Sequence, residues 1–229
     1  MLLPLFMLLI AGCVNPAEDR FEPVNRSVFA VNQGLDTVLI RPLARGYVTV
    51  TPELVQDGVY NFFDNLGYPV VVLNQFLQGK PGEGVRDTTR LLVNSTLGVG
   101  GLMDLASGMG LRREEEDFGQ TFGYWGIESG AYLVVPVWGG VTVRDGIGDA
   151  LDGLLYPPRL LEDMATRNGL LALRLVSGRA DALGTEDLIT GDPYIFLRDA
   201  YLQRRKSLVD DGVVDDPFNN NNFFLDDDF

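Results

Sequence analysis

The sequence predicts an all-α domain built from many short helices. Helix-start signals recur along the chain, and the clearest are Thr51-Pro52 and Asp192-Pro193, where a capping residue precedes a first-turn proline. Helix breakers are equally frequent, with 27 glycines and 12 prolines among 229 residues. The sequence contains no run of about 18 apolar residues, so a helix that crosses a bilayer is not expected.

Two short helical segments are expected at the start of the body. Residues 25–32 form the first, Gly34 interrupts it, and residues 35–40 continue as far as Pro42. Glycine weakens a helix interior, and proline cannot donate the main-chain hydrogen bond that an interior position supplies. We therefore expect a break between the two segments.

The next helix opens at Thr51-Pro52. It carries residues at helical spacing on one face, namely Leu54, Gly58, Asn61, Phe62 and Asn65. Gly67 and Pro69 are expected to end it, which leaves residues 70–77 as a separate apolar piece. A further helix is expected over residues 82–97.

The middle of the chain is rich in glycine. Glycines recur between residues 119 and 130 among aromatic side chains. Residues 131–138 (AYLVVPVW) are the longest internal apolar run, and Pro136 excludes a regular helix through them.

Sequence patterns typical of helices return in the last third of the body. Residues 142–155 and 159–183 are expected to be helical, and the second stretch is interrupted near Gly169. Asp192 caps the final helix, whose apolar stripe consists of Tyr194, Leu197, Tyr201 and Leu208.

The composition excludes several kinds of chemistry. With no histidine and one cysteine, the chain has no histidine base, no His-ligated zinc, no cysteine cluster for a metal and no internal disulfide. The net charge of −14 argues against nucleic-acid binding, which depends on neutralising phosphates. Half of that charge comes from seven aspartates after Lys206, so residues 210–229 are predicted to be an acidic, disordered tail.

The first residues are typical of a bacterial lipoprotein. Residues 1–12 are apolar, and Ile10-Ala11-Gly12-Cys13 resembles a lipobox, in which the cysteine thiol accepts the lipid. We therefore predict a signal peptide over residues 1–12, a lipid anchor at Cys13 and a lipidated tether over residues 13–23. No Lys or Arg precedes the apolar run, which leaves open a start farther upstream. The alternative is an apolar segment with an incidental cysteine.

Six segments of the body carry a resemblance to a known family. In chain order they are FEPVNR (21–26), NFFDNL (61–66), NSTLGVGG (94–101), DFGQTFG (117–123), RD (144–145) and DPYI (192–195). They closely resemble the MlaA/VacJ family, the outer-membrane lipoproteins of the Mla phospholipid-transport system. The similarity covers roughly residues 21–205.

The resemblance implies a fold, a place and a function. Residues 24–209 are expected to form a single ring-like domain of amphipathic helices and glycine-rich hairpins around a central channel. The family lies in the inner leaflet of the Gram-negative outer membrane and faces the periplasm. It removes mislocalised glycerophospholipids from the outer leaflet and passes them to a periplasmic lipid-carrier protein. Trimeric porins are the expected partners, and neither a covalent step nor a cofactor is expected.

The resemblance also implies three groups of functional positions. The channel hairpin corresponds to Gly126, Glu128 and Gly130, and the alternative is an ordinary loop. A kink early in the body, which is functionally sensitive in the family, corresponds to Phe29, Asn32, Gly34 and Asp36. The residues differ here, so the resemblance implies only the location of the kink. Arg167 and Arg174 are the candidates for a basic residue in the channel, and the alternative for each is a surface charge.

Two other functions are compatible with the same membrane location. A phospholipase would need a nucleophile and a base, yet no G-x-S-x-G motif occurs and neither lysine adjoins a nucleophile signature. A purely structural lipoprotein would hold no lipid in an internal cavity.

Overall fold

The computed structural model describes residues 19–212, and these fold into a mainly helical body. Its elements in chain order are α1 (Glu22–Leu35), α2 (Arg41–Val50), α3 (Glu53–Leu77), α4 (Pro81–Thr96), α5 (Leu105–Gly108), α6 (Phe118–Tyr124), β1 (Tyr132–Val135), β2 (Gly139–Thr142), α7 (Val143–Leu155), α8 (Met164–Asp181) and α9 (Pro193–Val209). The all-α class is confirmed. The predicted signal peptide, Cys13 and residues 213–229 of the tail lie outside the described residues.

The first two predicted segments are one continuous helical rod. The break expected at Gly34 is wrong, because α1 runs through it and a π-helical turn, Asp36–Ile40, joins α1 to α2. Pro42 explains that turn. Its ring cannot donate to the carbonyl of Val38, and a wider π turn accommodates the missing hydrogen bond without ending the helix.

Helix α3 also continues where the sequence predicts an end. It spans 25 residues and passes through both Gly67 and Pro69. Phe63, Tyr68 and Val70, on either side of the proline, are all buried. Their burial against neighbouring elements outweighs the loss of one main-chain hydrogen bond.

The interruption expected near Gly169 is likewise wrong. Helix α8 runs unbroken through that glycine, which is exposed and has open space where a Cβ would lie. One interior glycine lowers helix stability by about 1 kcal/mol relative to alanine. The other residues of this 18-residue helix offset that loss.

Residues 131–142 form the one hairpin in the described part of the chain. Strands β1 and β2 are antiparallel, with Tyr132 opposite Thr142 and Val135 opposite Gly139. Pro136 lies in the turn between them, which agrees with its exclusion from a helix.

Tertiary packing pairs α3 with α4, α6 with α7, and α2 with α8. Polar side chains make many of the buried contacts between these elements. Thr121 on α6 donates to Asn74 on α3 over 2.6 Å, and Asn25 on α1 accepts from the Val134 amide of β1 over 2.9 Å. Helices are therefore tied together by hydrogen bonds that are shielded from solvent.

Apolar side chains are distributed unusually between the interior and the surface. In residues 19–212, 40 large apolar side chains are exposed, whereas ten hydrophobic residues are buried. A water-soluble domain normally buries most such side chains and rarely exposes large apolar patches. None of the described helices is both long and apolar enough to cross a membrane.

Candidate functional site

A cavity of about 930 Å³, open to solvent, lies between the elements of the body. It is bounded by the end of α1 and the π turn, the middle of α3, residues 113–117, the turn of the β hairpin, α7 and α8. Every large helix except α2, α4 and α9 contributes to its wall. The cavity is therefore formed by residues that are distant in sequence.

The wall of the cavity is amphipathic. Apolar side chains from several elements cover part of it, namely Ile40, Phe63, Val70, Val71, Val137, Leu171 and Leu175. Charged side chains of both signs cover the rest. Such a wall can contact both the acyl chains and the headgroup of a lipid.

Most of the charged groups in the wall are already paired. Arg179 donates from Nε to Asp36 over 2.7 Å and lowers the pKa of that carboxyl. Arg113 lies 2.7 Å from Asp64. The carboxylates of the 114–117 segment also have cationic partners, namely Arg86, Arg204, Lys80 and Arg205.

Four charged groups of the wall form no ion pair with any described residue. They are Asp149, Asp152, Arg159 and Arg174. Asp149 accepts from the Trp138 indole over 3.2 Å, and Asp152 accepts from the Phe118 amide over 3.3 Å. Burial raises the pKa of Asp152 to about 7, and the nearby Asp117 adds to that shift. Burial also raises the pKa of Asp149.

The two unpaired arginines lie beside the end of α7. The Arg174 guanidinium carbon is 4.3 Å from the ring centroid of Tyr156, a cation–π contact. Burial raises the pKa of the Tyr156 hydroxyl, whereas the charge of Arg174 opposes that shift. The Arg159 guanidinium packs on Gly153, where a Cβ would lie 3.1 Å from Nη1.

Two of the four predicted kink positions line the cavity. Asn32 donates to the Val135 carbonyl over 3.0 Å and accepts from the Val137 amide over 2.8 Å, so it fixes the hairpin turn to α1. Asp36 begins the π turn and binds Arg179. Phe29 instead packs edge-on against Tyr194 with ring centroids 5.6 Å apart, and Gly34 is exposed.

The two candidate channel arginines differ in position. Arg174 lines the cavity, whereas Arg167, two turns earlier on α8, does not. The structure thus places one of the two predicted bases in the wall.

The predicted channel hairpin lies between α6 and β1. Gly126 and Gly130 have left-handed φ angles of 85° and 70°, and Glu128 between them is exposed. The Arg144 amide donates to the Ser129 carbonyl over 3.0 Å, which ties this loop to α7. None of the three predicted positions lines the cavity.

Sequence reasoning missed Asp149, Asp152, Tyr156, Arg159 and Trp138. A signal for the two aspartates exists, because Asp145, Asp149 and Asp152 recur at intervals of four and three on one helix face. No signal marks Trp138 and Arg159, which reach the cavity only through the hairpin turn and the turn after α7.

The comparisons with known proteins agree with this architecture. A family model described as MlaA lipoprotein matches residues 17–208. The chain belongs to the MlaA lipoprotein family. An Escherichia coli (strain K12) relative named intermembrane phospholipid transport system lipoprotein MlaA is 34% identical over 219 residues, which cover 90% of this chain and 86% of that protein. A Haemophilus influenzae relative of the same name is 28% identical over 221 residues, covering 90% and 88%.

A solved structure also matches this MlaA-family fold. It is described as "Structural basis for maintenance of bacterial outer membrane lipid asymmetry" and aligns with a TM-score of 0.75 at 34% identity. The alignment covers 84% of this chain and 99% of that chain. The family predicted from the six segments is therefore confirmed.

The residues that carry the resemblance serve mainly to hold the fold together. Asn94 donates to Asp104 over 3.0 Å, Asp145 accepts from Thr142 over 2.7 Å, and Asp192 caps α9. Of the six segments, NFFDNL contributes Phe63 and Asp64 to the cavity, and DFGQTFG contributes Asp117.

Proposed function

We propose that this protein conducts glycerophospholipids through its cavity, removing mislocalised lipid from the outer leaflet of the outer membrane. The observation that carries the proposal is an open, amphipathic cavity of about 930 Å³ in a body that exposes many apolar side chains. Relatives named as phospholipid transport lipoproteins support the choice of cargo.

The apolar exterior supports a position within one leaflet of the membrane. Apolar side chains are exposed on α1, the π turn, α3, α4 and the loops that follow α4. No described helix can cross the bilayer, so these faces suit insertion to partial depth. We place the body in the inner leaflet of the outer membrane, anchored through lipid on Cys13 and facing the periplasm.

The remaining partners follow from membership of the family. We propose that a trimeric porin contacts the body within the membrane and that a periplasmic lipid-carrier protein receives the lipid. The channel hairpin (Gly126, Glu128 and Gly130) and the early kink (Phe29, Asn32, Gly34 and Asp36) are proposed to control passage. Two features support this assignment, since Asn32 joins the kink to the cavity wall and both hairpin glycines adopt backbone angles that favour glycine.

The proposal is tested by narrowing the cavity. Leu175→Trp adds bulk at a lining position of α8, so we expect more phospholipid to remain in the outer leaflet of cells that rely on this protein. The measurement is the outer-leaflet phospholipid content of a strain that lacks its own copy and expresses the variant. If passage is impaired, the strain that expresses the variant should hold almost as much outer-leaflet phospholipid as the deletion strain itself.

Leu173→Trp is the matched control. Leu173 is also exposed on α8, at 37% against 45% for Leu175, but it does not line the cavity. It should therefore support normal lipid asymmetry at equal expression. Full transport by a stably expressed Leu175→Trp variant would contradict passage through this cavity.

A further inference from the structure

The unpaired charges of the cavity wall divide into two cations and two anions. Arg159 and Arg174 lack an ion-pair partner among residues 19–212, and so do Asp149 and Asp152. Every other charged side chain in the wall is paired with an opposite charge. These four groups therefore face the cavity without an internal partner.

The two arginines form one half of a binding site. Guanidinium groups bind phosphate oxygens through paired N–H donors. Tyr156, whose ring contacts Arg174, is only 5% exposed, and its hydroxyl donates to no acceptor in the described structure. A buried donor without a partner costs free energy, which a phosphate oxygen could recover. This half suits a phosphate group.

The two aspartates form the other half. Asp149 and Asp152 lie one turn apart on α7, and the indole of Trp138 donates to Asp149. Carboxylates beside an aromatic ring form a favourable site for an ammonium ion, because both attract the positive charge. This half suits a primary or quaternary amine.

The two halves are adjacent. Gly153 follows Asp152 directly, and the guanidinium of Arg159 packs on Gly153. Arg159 and Asp152 both line the cavity and form no ion pair with each other, so both charges stay available to a ligand. A ligand that carries a phosphate next to an amine would contact both halves.

We propose that the cavity prefers a zwitterionic, amine-bearing glycerophospholipid, with its phosphate at Arg159, Arg174 and Tyr156 and its ammonium at Asp149 and Asp152. This inference rests on the proposed function and names the cargo of the same cavity. An anionic lipid without an amine would leave both carboxylates unpaired and close to its own negative charge, which disfavours it.

The test measures which lipid the full-length protein retains. The detergent-solubilised protein is incubated with an equimolar mixture of phosphatidylethanolamine and phosphatidylglycerol with identical acyl chains, and bound lipid is measured by native mass spectrometry. We expect the bound ratio to favour phosphatidylethanolamine by about fivefold, as suits partly exposed ion pairs.

Variants separate the two halves of the site. Asp149→Asn and Asp152→Asn, made separately, should each return the ratio towards one without lowering the total lipid bound. Arg174→Gln should lower the binding of both lipids. Asp57→Asn, at an exposed position of α3 outside the cavity, should keep the parent ratio and serves as the matched control.

The outcomes distinguish this inference from the proposed function. Equal binding of the two lipids by the parent protein overturns the headgroup preference and leaves phospholipid transport intact. An unchanged ratio in both aspartate variants, with circular dichroism showing that they are folded, also overturns it. Recovery of neither lipid would overturn the proposed function itself.

Discussion

At the scale of single residues, the cavity changes the acidity of Asp152. Its carboxyl is half-buried, accepts one main-chain hydrogen bond and has no cationic partner in the described structure. Burial therefore raises its pKa from 3.8 to about 7. By contrast, Asp36 is held by Arg179 and Arg41, and its pKa is lowered. An ion-pair partner thus lowers the pKa of one cavity acid, whereas burial without such a partner raises the pKa of another.

Asp152→Asn is expected to change how stability depends on pH. Because the folded state raises the pKa from 3.8 to about 7, it holds the proton more tightly than the unfolded state. The contribution of this side chain to the free energy of unfolding is therefore fully present below about pH 4 and is lost as the pH rises through 7. The asparagine variant should match the parent in acid and exceed it at pH 8 by about 1 kcal/mol, a value discounted for solvent screening.

The measurement is thermal unfolding in detergent at pH 4.5 and pH 8, about the limits of that titration range. Asp57→Asn, which removes an exposed carboxyl, should show no such divergence between the two pH values. Equal melting temperatures of parent and Asp152→Asn at pH 8 would show that the carboxyl carries no burial cost.

At the scale of elements, α9 is connected to the body by charged hydrogen bonds. Arg205 lies 2.5 Å from Asp117, the N-cap of α6, and 3.0 Å from Asp145 in the first turn of α7. Burial opposes ionisation of Asp117, yet Arg205 keeps its pKa below the usual range. One side chain thus joins three helices in a setting with little solvent.

Arg205→Ala is expected to lower the free energy of unfolding by about 3 kcal/mol, because it removes the cation paired with Asp117 and one of the two cations paired with the buried Asp145. Arg204→Ala removes the neighbouring arginine, which is 66% exposed and pairs with Glu115, and should cost less than about 1 kcal/mol. Chemical unfolding of both variants in the same detergent measures the difference. Equal losses would contradict a special role for the buried pair.

At the scale of the whole molecule, polar groups hold the interior together and apolar groups cover much of the surface. The buried set includes Asn25, Asn74, Asp87 and Arg90, each at most 2% exposed. Val38 on the π turn, by contrast, is 80% exposed. This distribution matches a body whose exterior contacts lipid, since exposed apolar surface is favourable there and costly in water.

Removal of the predicted lipid anchor tests how much the body itself contributes to membrane attachment. We expect the larger part of a Cys13→Ala variant to stay with the membrane after a carbonate wash, because the exposed apolar surface remains. Val38→Asp in the same background should increase release, since it places a charge on that surface. Complete release of the Cys13→Ala protein would show that the acyl chains alone hold it.

The sequence by itself determined the family and the helical class. Six short segments identified the MlaA lipoprotein family, and caps such as Asp192-Pro193 located helix starts, because capping and proline geometry depend on neighbouring residues. Local signals failed at Gly34, Pro69 and Gly169, where helices continue through residues that disfavour them.

Only the tertiary structure decided which charged residues meet in the cavity. Arg159 and Asp152 come from a turn and a helix, Trp138 comes from the β hairpin and Arg174 from α8. Whether each charged group is paired depends on which opposite charge lies nearby. Arg179, for example, pairs with Asp36 although 143 residues separate them in the sequence. That pairing is a property of distance in space, and helical periodicity contains no information about it.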